Sequence, residues 1–465
     1  MTIGTKAGAE DGSAREVTRE IDLVRVIDQA PVSHLQWRVI FLCFMVAFVD
    51  GFDTQAIGYV APKIMREFDL GPAAMGLGFS AGLFGLMIGA AALSAAADRM
   101  GRKPTIIASC LVMAVFSLFT AFAPSFETFL LGRFLTGIGL GGAIPVINAM
   151  TAEFVPAKRR ATLMTVMYAG VPMGAIAAGL FASVFSDLVG WRVIFLAGGL
   201  LPLVVALVVA AWLPESIQFL AAFPKRRLEL VRILKLIDRN YQPEINDRLF
   251  INEDGARRGS FRSLFSDRRG ITTLLIWIIF LCNLFIVYAI VSWMPSIFAV
   301  SGIPLKLAIF STLLFNVGGI TIGLILARLS DRWGVEQVIP WAFVGAALSI
   351  ASIGPAISSP LSALAIIALV GGFVGGTQFS IHLLAVNRYP SSIRSLGLGA
   401  ALSIGRVGGI LGPLAVGWML SVGWSNEILF VLAASPALIG LLAMLALRKT
   451  APGPSVSRER QGRSA

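Results

Sequence analysis

The sequence predicts an all-α integral membrane protein with twelve transmembrane helices in two six-helix repeats and both termini in the cytoplasm. Composition, twelve long apolar runs and an internal repeat lead to this fold class. The chain has 465 residues, of which 56% are hydrophobic and only 14% are charged. Soluble domains are about 45–50% apolar and about 25% charged. So few charges cannot coat a soluble protein of this length, which excludes a disordered, fibrous or ordinary cytosolic protein.

Each apolar run is long enough to form a membrane helix, which needs about 20 residues to cross about 30 Å of hydrocarbon. The first six runs cover residues 37–60, 75–97, 104–123, 127–152, 161–186 and 191–213. The last six cover residues 271–295, 305–329, 337–357, 360–386, 395–420 and 425–447. Gly and Pro within the runs are acceptable because neighbouring helices can satisfy the freed backbone groups.

These runs divide the chain into five predicted segments. They are a cytoplasmic tail (1–36), an N-terminal six-helix bundle (37–213), a cytoplasmic linker (214–270), a C-terminal six-helix bundle (271–447) and a second cytoplasmic tail (448–465). Within the linker, the pattern from Leu228 to Ile237 fits either an amphipathic surface helix or a solvated loop.

The distribution of basic residues predicts the orientation, because Lys and Arg concentrate in cytoplasmic loops. With the N-terminus inside, only four of the 38 Lys and Arg residues fall in outer loops, namely Lys63, Arg66, Arg192 and Lys306. Basic clusters between apolar runs are topology signals, so the net charge of +12 does not indicate a nucleic-acid partner. All three cysteines lie inside apolar runs, so we expect neither disulfides nor a metal site.

Landmarks in the two halves recur at a constant spacing. Asp98, which opens a basic loop after the second run, precedes its counterpart Asp331 by 233 residues. Pro156 after the fourth run precedes Pro390 after the tenth by 234 residues. A parallel repeat of six helices around a central site is a transporter architecture.

These loops carry a family resemblance. Residues 98–103 (Asp-Arg-Met-Gly-Arg-Lys) resemble the signature of the major facilitator superfamily, and residues 331–334 (Asp-Arg-Trp-Gly) are its weaker echo. Four further segments look like signatures of the aromatic acid/H⁺ symporters in that superfamily: 50–54, 132–142, 292–295 and 404–410. The resemblance implies the major facilitator fold, a central cavity and proton-coupled uptake of small aromatic carboxylates such as hydroxybenzoate or benzoate. Val335-Glu336 replaces the final basic pair in the second loop and departs from the pattern.

Three charges in the first half are predicted to couple transport to protons. Asp50 and Asp53 are three residues apart and share one face of the first helix. The helical rise puts Asp53 about 10 Å and Arg133 about 9 Å from the outer ends of their helices. Charges inside a membrane cost about 2.5–3.5 kcal/mol each and are functional by default. We expect Arg133 to face the aspartates, so that replacing this arginine by water or substrate changes their protonation. The alternative is a static ion pair that only fixes helix packing.

Arg406 is the predicted partner of the substrate carboxylate. It lies about 18 Å along the eleventh helix from its inner end, near the middle of the membrane. A guanidinium binds a carboxylate with two hydrogen bonds and stacks on aromatic rings. The alternative is an arginine that hydrogen-bonds the backbone carbonyls of broken helices.

Other polar and aromatic side chains are predicted to line the cavity. Asn148 and His382 are repeat mates, 234 residues apart, near the cytoplasmic end. His can titrate near neutral pH, but a lone histidine also serves as a packing residue. The remaining candidates, which can also serve in simple helix packing, are Gln378, Asn283, Tyr288 and Trp293.

A gate is predicted at the cytoplasmic loops. Its basic side chains can pair with acids across the halves, and such surface pairs are individually weak, which suits a latch that breaks in each cycle. Glu153 is expected to pair with Arg159 or Arg160. The other predicted gating residues are Asp98, Arg99, Gly101, Arg102, Lys103, Asp331, Arg332 and Arg394. A pure topology signal would explain the same basic residues.

The sequence predicts a secondary transporter rather than an enzyme. It has no phosphate-binding Gly-Lys-Ser loop and no nucleophile with a base, so we expect no cofactor and a proton gradient as energy source. The expected partners are a small aromatic carboxylate, H⁺ and the lipid bilayer of a bacterial inner membrane, with a monomer working by alternating access. A porter or exporter for another organic acid is the first alternative, and a membrane sensor with this fold is the second.

Overall fold

The helical class is confirmed by the computed structural model, which describes residues 20–238, 248–250, 261–266, 269–390 and 393–450. Eleven helical stretches within these ranges are long and apolar enough to cross a membrane. At the ninth of the twelve predicted runs, 337–357, the structure has a 17-residue apolar helix, Val335–Ala351, followed by the short helix Ile353–Ala356. Ser352 separates these two helices.

The first half is built from seven helices. After α1 (Leu23–Gln29), these are α2 (His34–Glu67), α3 (Pro72–Met100), α4 (Arg102–Ala121), α5 (Phe126–Phe154), α6 (Arg160–Tyr168), α7 (Gly170–Val189) and α8 (Arg192–Trp212). Two helices of the linker region follow, α9 (Ile217–Ala222) and α10 (Arg227–Ile237). Short 3-10 turns among the described residues cover Ala157–Arg159, Pro224–Arg226 and Phe261–Leu264.

The second half repeats this pattern with more interruptions. Its helices are α11 (Gly270–Val300), α12 (Leu305–Trp333), α13 (Val335–Ala351), α14 (Ile353–Ala356), α15 (Pro360–Val370), α16 (Gly376–Arg388), α17 (Arg394–Ser421), α18 (Asn426–Ala433) and α19 (Ser435–Arg448). A single π-helical turn, Gly371–Gly375, joins α15 to α16. Such turns are rare and often occur at functional sites.

The predicted surface helix of the linker is present as α10. It buries one apolar face, formed by Leu230, Ile233, Leu234 and Ile237, against the core of the first half. The segment before α2 also packs against the core of the first half. Strand β1 (Glu20–Asp22) pairs in parallel with strand β2 (Arg248–Phe250), and Asp28 Oδ1 accepts a hydrogen bond of 2.7 Å from the Ala157 amide.

Proline explains the break between α6 and α7, which together form one membrane-spanning stretch. Pro172 has no N–H, so the carbonyl of Tyr168 lacks the donor that an unbroken helix would supply four residues later. The first segment ends at Tyr168, and the second begins at Gly170. The break fixes the Tyr168 side chain at the end of a helix segment.

Glycine allows α3 and α5 to pack backbone to backbone. A Cβ added at Gly141 would lie 2.0 Å from the Leu86 carbonyl oxygen, and one added at Gly137 would lie 2.1 Å from the Gly82 carbonyl oxygen. Small residues let membrane helices approach this closely. The glycine-rich sequence 132–142 therefore places Arg133 firmly against α3.

We expect Gly141→Ala to destabilise the protein by about 1–3 kcal/mol, because the added methyl group meets backbone rather than a movable side chain. Thermal unfolding in detergent measures the effect as a lower Tm. Gly399→Ala in α17 is the matched control, since its Cβ would find nothing within 4 Å. Equal Tm values for the two variants would contradict the packing argument.

The two halves meet closely at one end of the molecule. Here Ser80 Oγ donates a 2.7 Å hydrogen bond to the Ile410 carbonyl, and Ser296 Oγ lies 3.4 Å from the Gly58 carbonyl that it bonds. The Phe79 ring meets the Trp293 ring edge-on, with the centroids 5.1 Å apart. We call this region the closed end, and the opposite end, which carries the loops at 98–103 and 331–334, the basic end.

Candidate functional site

The first buried charge pair joins α2 to α5. Arg133 Nη1 lies 3.0 Å from Asp53 Oδ1 and 2.9 Å from Asp53 Oδ2. Asp53 is 1% exposed and Arg133 is 3% exposed, and the guanidinium also lies over the Phe195 ring at 5.5 Å from its centroid. The depth estimate made from the sequence therefore placed these two side chains together correctly. Breaking a pair buried this deeply is strongly destabilising, by about 3–5 kcal/mol, unless the remaining charge finds a new partner.

Asp50 has a different partner from the one predicted. It is 8% exposed, and its charged neighbours are Asp53 on its own helix and Arg406 on α17. Its Oδ1 atom has no hydrogen-bond partner among the described residues. Because α2 belongs to the first half and α17 to the second, the interaction of Asp50 with Arg406 crosses between the halves.

Close packing of α17 on α11 positions Arg406. A Cβ added at Gly408 would lie 2.1 Å from the Leu281 carbonyl oxygen. One added at Gly409 would lie 2.8 Å from the Tyr288 ring. Tyr288 is partly exposed and interacts electrostatically with both Asp50 and Arg406. The predicted candidates Arg406 and Tyr288 therefore share one site with Asp50.

Asn148 reaches the same region from α5. Its Nδ2 donates a short hydrogen bond to the hydroxyl of Tyr168, at the end of α6. Tyr168 is 39% exposed, and it interacts electrostatically with Asp50 and Arg406. Reasoning from the sequence missed Tyr168. The signal available was Pro172, four residues later, which ends a helix segment at the tyrosine.

Three predicted residues of the second half form a cluster between α11 and α16. Asn283 Nδ2 donates a 2.5 Å hydrogen bond to Gln378 Oε1, and His382 Nδ1 lies 2.5 Å from the Gln378 carbonyl oxygen. The His382 ring meets the Phe280 ring edge-on, with the centroids 5.4 Å apart. Gly405 packs against Phe280, so this cluster adjoins the segment of α17 that carries Arg406.

Trp293 departs from its predicted place as a stacking face for a substrate. The residue is 2% exposed, its indole Nε1 donates a 2.9 Å hydrogen bond to the Pro413 carbonyl, and its ring packs on Phe79 of the other half. This hydrogen bond and the aromatic contact together seal the closed end. In this conformation the side chain belongs to the contact between the halves.

The basic loop of the first half is held by a glutamate that was not among the predicted gating residues. Glu215 Oε1 accepts hydrogen bonds from the amides of Arg102 (2.9 Å), Lys103 (3.1 Å) and Ser216 (2.8 Å). Gly101 has a φ of +104°, and a Cβ there would lie 2.3 Å from Glu215 Oε2. Glycine is therefore required for both reasons, backbone conformation and the close approach of the carboxylate.

Glu153 pairs with Arg102. The predicted pairing with Arg159 or Arg160 is wrong. Arg102 Nε lies 3.2 Å from Glu153 Oε1, and the other Glu153 oxygen accepts a hydrogen bond from the Ser216 hydroxyl. Arg159 and Arg160 are exposed beyond the end of α5, whereas the loop after α3 folds back onto that end. Asp98 lies 3.9 Å from Arg102 and remains largely exposed, as does Arg99.

In the second half, the corresponding ion pair has the opposite polarity. Glu336 comes from the first turn of α13 and Arg388 from the end of α16, with Arg388 Nε 2.7 Å from Glu336 Oε1. Asp331 and Arg332 are exposed, and Arg394 opens α17. The departure Val335-Glu336 noted in the sequence is the origin of this reversal.

Two repeated helical membrane halves with buried charges between them are the architecture of the secondary transporters. Comparison with known proteins gives the family. The family model described as Major Facilitator Superfamily matches residues 43–404, with a second match over residues 308–465. The chain belongs to the major facilitator superfamily. It is accordingly a multi-pass membrane transporter and not an enzyme.

The similar proteins include several transporters of aromatic acids. The 4-hydroxybenzoate transporter PcaK of Pseudomonas putida is 32% identical over 92% of this chain and 96% of its own length. The gallate transporter of Pseudomonas putida is 34% identical over the same shares. Among solved structures, the inward open conformation of the xylose transporter XylE from E. coli has a TM-score of 0.70 at 16% identity, covering 90% of this chain and 96% of that one. This last likeness concerns the fold alone.

Proposed function

We propose that the protein is a proton-coupled symporter that imports small aromatic carboxylates, such as hydroxybenzoate or benzoate derivatives, by alternating access. The observation that carries the proposal is the position of Arg406, on α17 of the second half, near the buried Asp50 on α2 of the first half. A carboxylate and a guanidinium on opposite halves are charges whose interaction an anionic substrate can replace.

The substrate carboxylate takes the place of Asp50 beside Arg406. A guanidinium binds a carboxylate through two parallel hydrogen bonds and stacks on a planar ring, so Arg406 suits both parts of an aromatic acid. Tyr288 offers an aromatic face next to it on α11. The relatives named as 4-hydroxybenzoate and gallate transporters support this substrate class.

Proton coupling follows from the charge that substrate binding leaves behind. Once Arg406 is occupied by the substrate, Asp50 is a buried carboxylate with Asp53 as its charged neighbour. A buried carboxylate without a cationic partner takes up a proton rather than remaining charged. Binding of one substrate anion is therefore accompanied by binding of one proton at Asp50. The neighbouring Asp53 stays a carboxylate in its ion pair with Arg133.

Alternating access requires the halves to separate at one end as they meet at the other. The contacts of Phe79 with Trp293 and of Ser80 with Ile410 hold the closed end in this conformation. At the basic end, the pairs of Arg102 with Glu153 and of Arg388 with Glu336 each lie within one half. Exchange of these pairs for contacts between the halves closes the basic end. The proposed gate includes Asp98, Arg99, Gly101, Lys103, Asp331, Arg332 and Arg394.

We place the protein in a bacterial inner membrane as a monomer, with both termini and the basic end in the cytoplasm. The concentration of Lys and Arg in the loops of the basic end supports this orientation. In it, the present conformation is closed toward the outside.

The test is uptake of radiolabelled acids into proteoliposomes with an imposed proton gradient, acidic outside. Benzoate, 4-hydroxybenzoate and gallate are compared with the non-aromatic acid succinate, and protein-free liposomes measure diffusion of the neutral acids. We expect gradient-dependent, saturable uptake of the aromatic acids only. A porter for another organic acid would transport succinate instead, and a sensor would transport none of the four.

A further inference from the structure

Tyr168 occupies a special position in the first half. It ends α6 at the proline-induced break, and its side chain is 39% exposed, whereas Tyr59 and Tyr389 are buried. It interacts electrostatically with Asp50 and Arg406, so it lies in the same site. The proton-coupling scheme above does not use it.

The hydrogen bond from Asn148 determines what Tyr168 can bind. Because the phenol oxygen accepts the Asn148 Nδ2 proton, the phenol's own proton is free to be donated to another acceptor. Asn148 Oδ1 is buried and has no partner among the described residues, so its capacity to accept a hydrogen bond is unused. Together the pair presents one donor and one acceptor, both uncharged, which matches a hydroxyl group that both accepts and donates.

We propose that Tyr168 and Asn148 form a subsite for the ring hydroxyl of the substrate, so that the protein favours hydroxylated aromatic acids over benzoate itself. The inference rests on the proposed function, in which Arg406 takes the carboxylate. The two subsites stand on opposite halves, with Tyr168 and Asn148 on α6 and α5 and Arg406 on α17. A substrate with a carboxylate and a hydroxyl therefore bridges both halves, whereas benzoate engages only one of them through polar contacts.

Local structure holds this subsite in place. A Cβ added at Gly51 would lie 1.9 Å from the Val171 carbonyl oxygen, so α2 packs directly against α7 just after the break. This contact fixes Tyr168 relative to Asp50, which precedes Gly51. A site built to hydrogen-bond a hydroxyl discriminates against an analogue that lacks it, since its polar groups are left unpaired.

Tyr168→Phe tests the subsite, because it removes the hydroxyl and keeps the ring. We measure kcat/KM for uptake of 4-hydroxybenzoate and of benzoate in proteoliposomes and take their ratio. The ratio should fall about three- to tenfold, the equivalent of one neutral hydrogen bond, through a loss for 4-hydroxybenzoate alone. Asn148→Ala should lower the same ratio. Tyr389→Phe, which alters a tyrosine that is 1% exposed and packs on Gly397, should leave it unchanged.

The outcomes separate this inference from the proposed function. Wild-type protein that transports neither acid would overturn the proposed function. Wild-type transport of both acids with an unchanged ratio in Tyr168→Phe and Asn148→Ala would overturn the hydroxyl subsite and leave the function standing. A proportional loss for both acids would assign Tyr168 a structural role and would also overturn the subsite, as would a wild-type preference for benzoate.

Discussion

Asp53→Asn should abolish accumulation of aromatic acid driven by a proton gradient. The amide keeps the size of the carboxylate and can still hydrogen-bond Arg133, but it leaves the Arg133 charge uncompensated near Asp50, which then stays ionised and takes up no proton with the substrate. In the folded protein the carboxylate lies 2.9 Å from Arg133 Nη1 and is 1% exposed, so solvent cannot substitute for it. Uptake with the gradient imposed should fall to the level of protein-free liposomes. Exchange of labelled for unlabelled substrate across the membrane requires no net proton movement and should persist.

The control for this prediction is Asp187→Asn. Asp187 also forms an ion pair, with its Oδ1 2.5 Å from Lys63 Nζ, but its side chain is 71% exposed. Exposed pairs of this kind contribute about 0–1 kcal/mol, so the variant should accumulate substrate like the wild type. Full gradient-driven accumulation by Asp53→Asn would rule out a coupling role and leave the static ion pair as the explanation for Asp53 and Arg133.

Arg406→Ala should weaken substrate binding about 10- to 100-fold. Hydrogen bonds to a charged group are worth about 1.5–3 kcal/mol each, and the alanine variant cannot replace them. Binding of labelled 4-hydroxybenzoate to the detergent-purified protein measures the effect directly and independently of the gradient. Arg406→Lys keeps the charge but not the planar fork and should give an intermediate loss.

A matched arginine distinguishes this effect from a general loss of charge. Arg226 forms a surface pair with Glu229 through Nη2 and Oε2 at 2.8 Å, and Arg226→Ala should bind substrate normally. Undiminished binding by Arg406→Ala would show that Arg406 holds the helices together and that the carboxylate binds elsewhere. Thermal unfolding of each variant accompanies the assay, so that a misfolded protein is not counted as a weak binder.

The depth of a residue along its helix could be predicted from the sequence. This depth was enough to predict that Asp53 and Arg133 lie together. Both side chains lie on neighbouring helices of one half, and a common depth brings them together. Depth alone could not predict which arginine lies near Asp50. Whether Asp50 faces Arg133 or Arg406 depends on how the two halves meet, and the helical rise carries no information about that.

Proximity along the chain misled the assignment of Glu153. Arg159 and Arg160 follow it closely in the sequence, but α5 ends at Phe154 and the intervening turn carries them away from the carboxylate. Arg102 reaches Glu153 because Gly101 turns the chain sharply and Glu215 fixes the loop through its backbone amides. The glycine and the glutamate were both visible in the sequence, but their contact is a property of the folded chain.

Residue type alone also could not separate two aromatic roles. Trp293 and Tyr168 both stand in apolar runs, where aromatic residues serve packing and binding equally well. The fold separates the two roles: the Trp293 indole bonds the Pro413 carbonyl and its ring packs on Phe79, whereas Pro172 ends a helix segment at Tyr168. The tryptophan is therefore buried between the halves, and the tyrosine side chain stays exposed.

The most direct test of the proposed coupling follows protons and substrate in the same vesicles. Proteoliposomes loaded with a pH-sensitive dye receive 4-hydroxybenzoate without an imposed gradient, and lumenal pH is recorded while labelled substrate is counted. If binding of the anion beside Arg406 calls for a proton at Asp50, the lumen acidifies in fixed proportion to substrate entry, and Asp53→Asn shows neither signal. Saturable entry of substrate through the wild-type protein at constant lumenal pH would contradict the account.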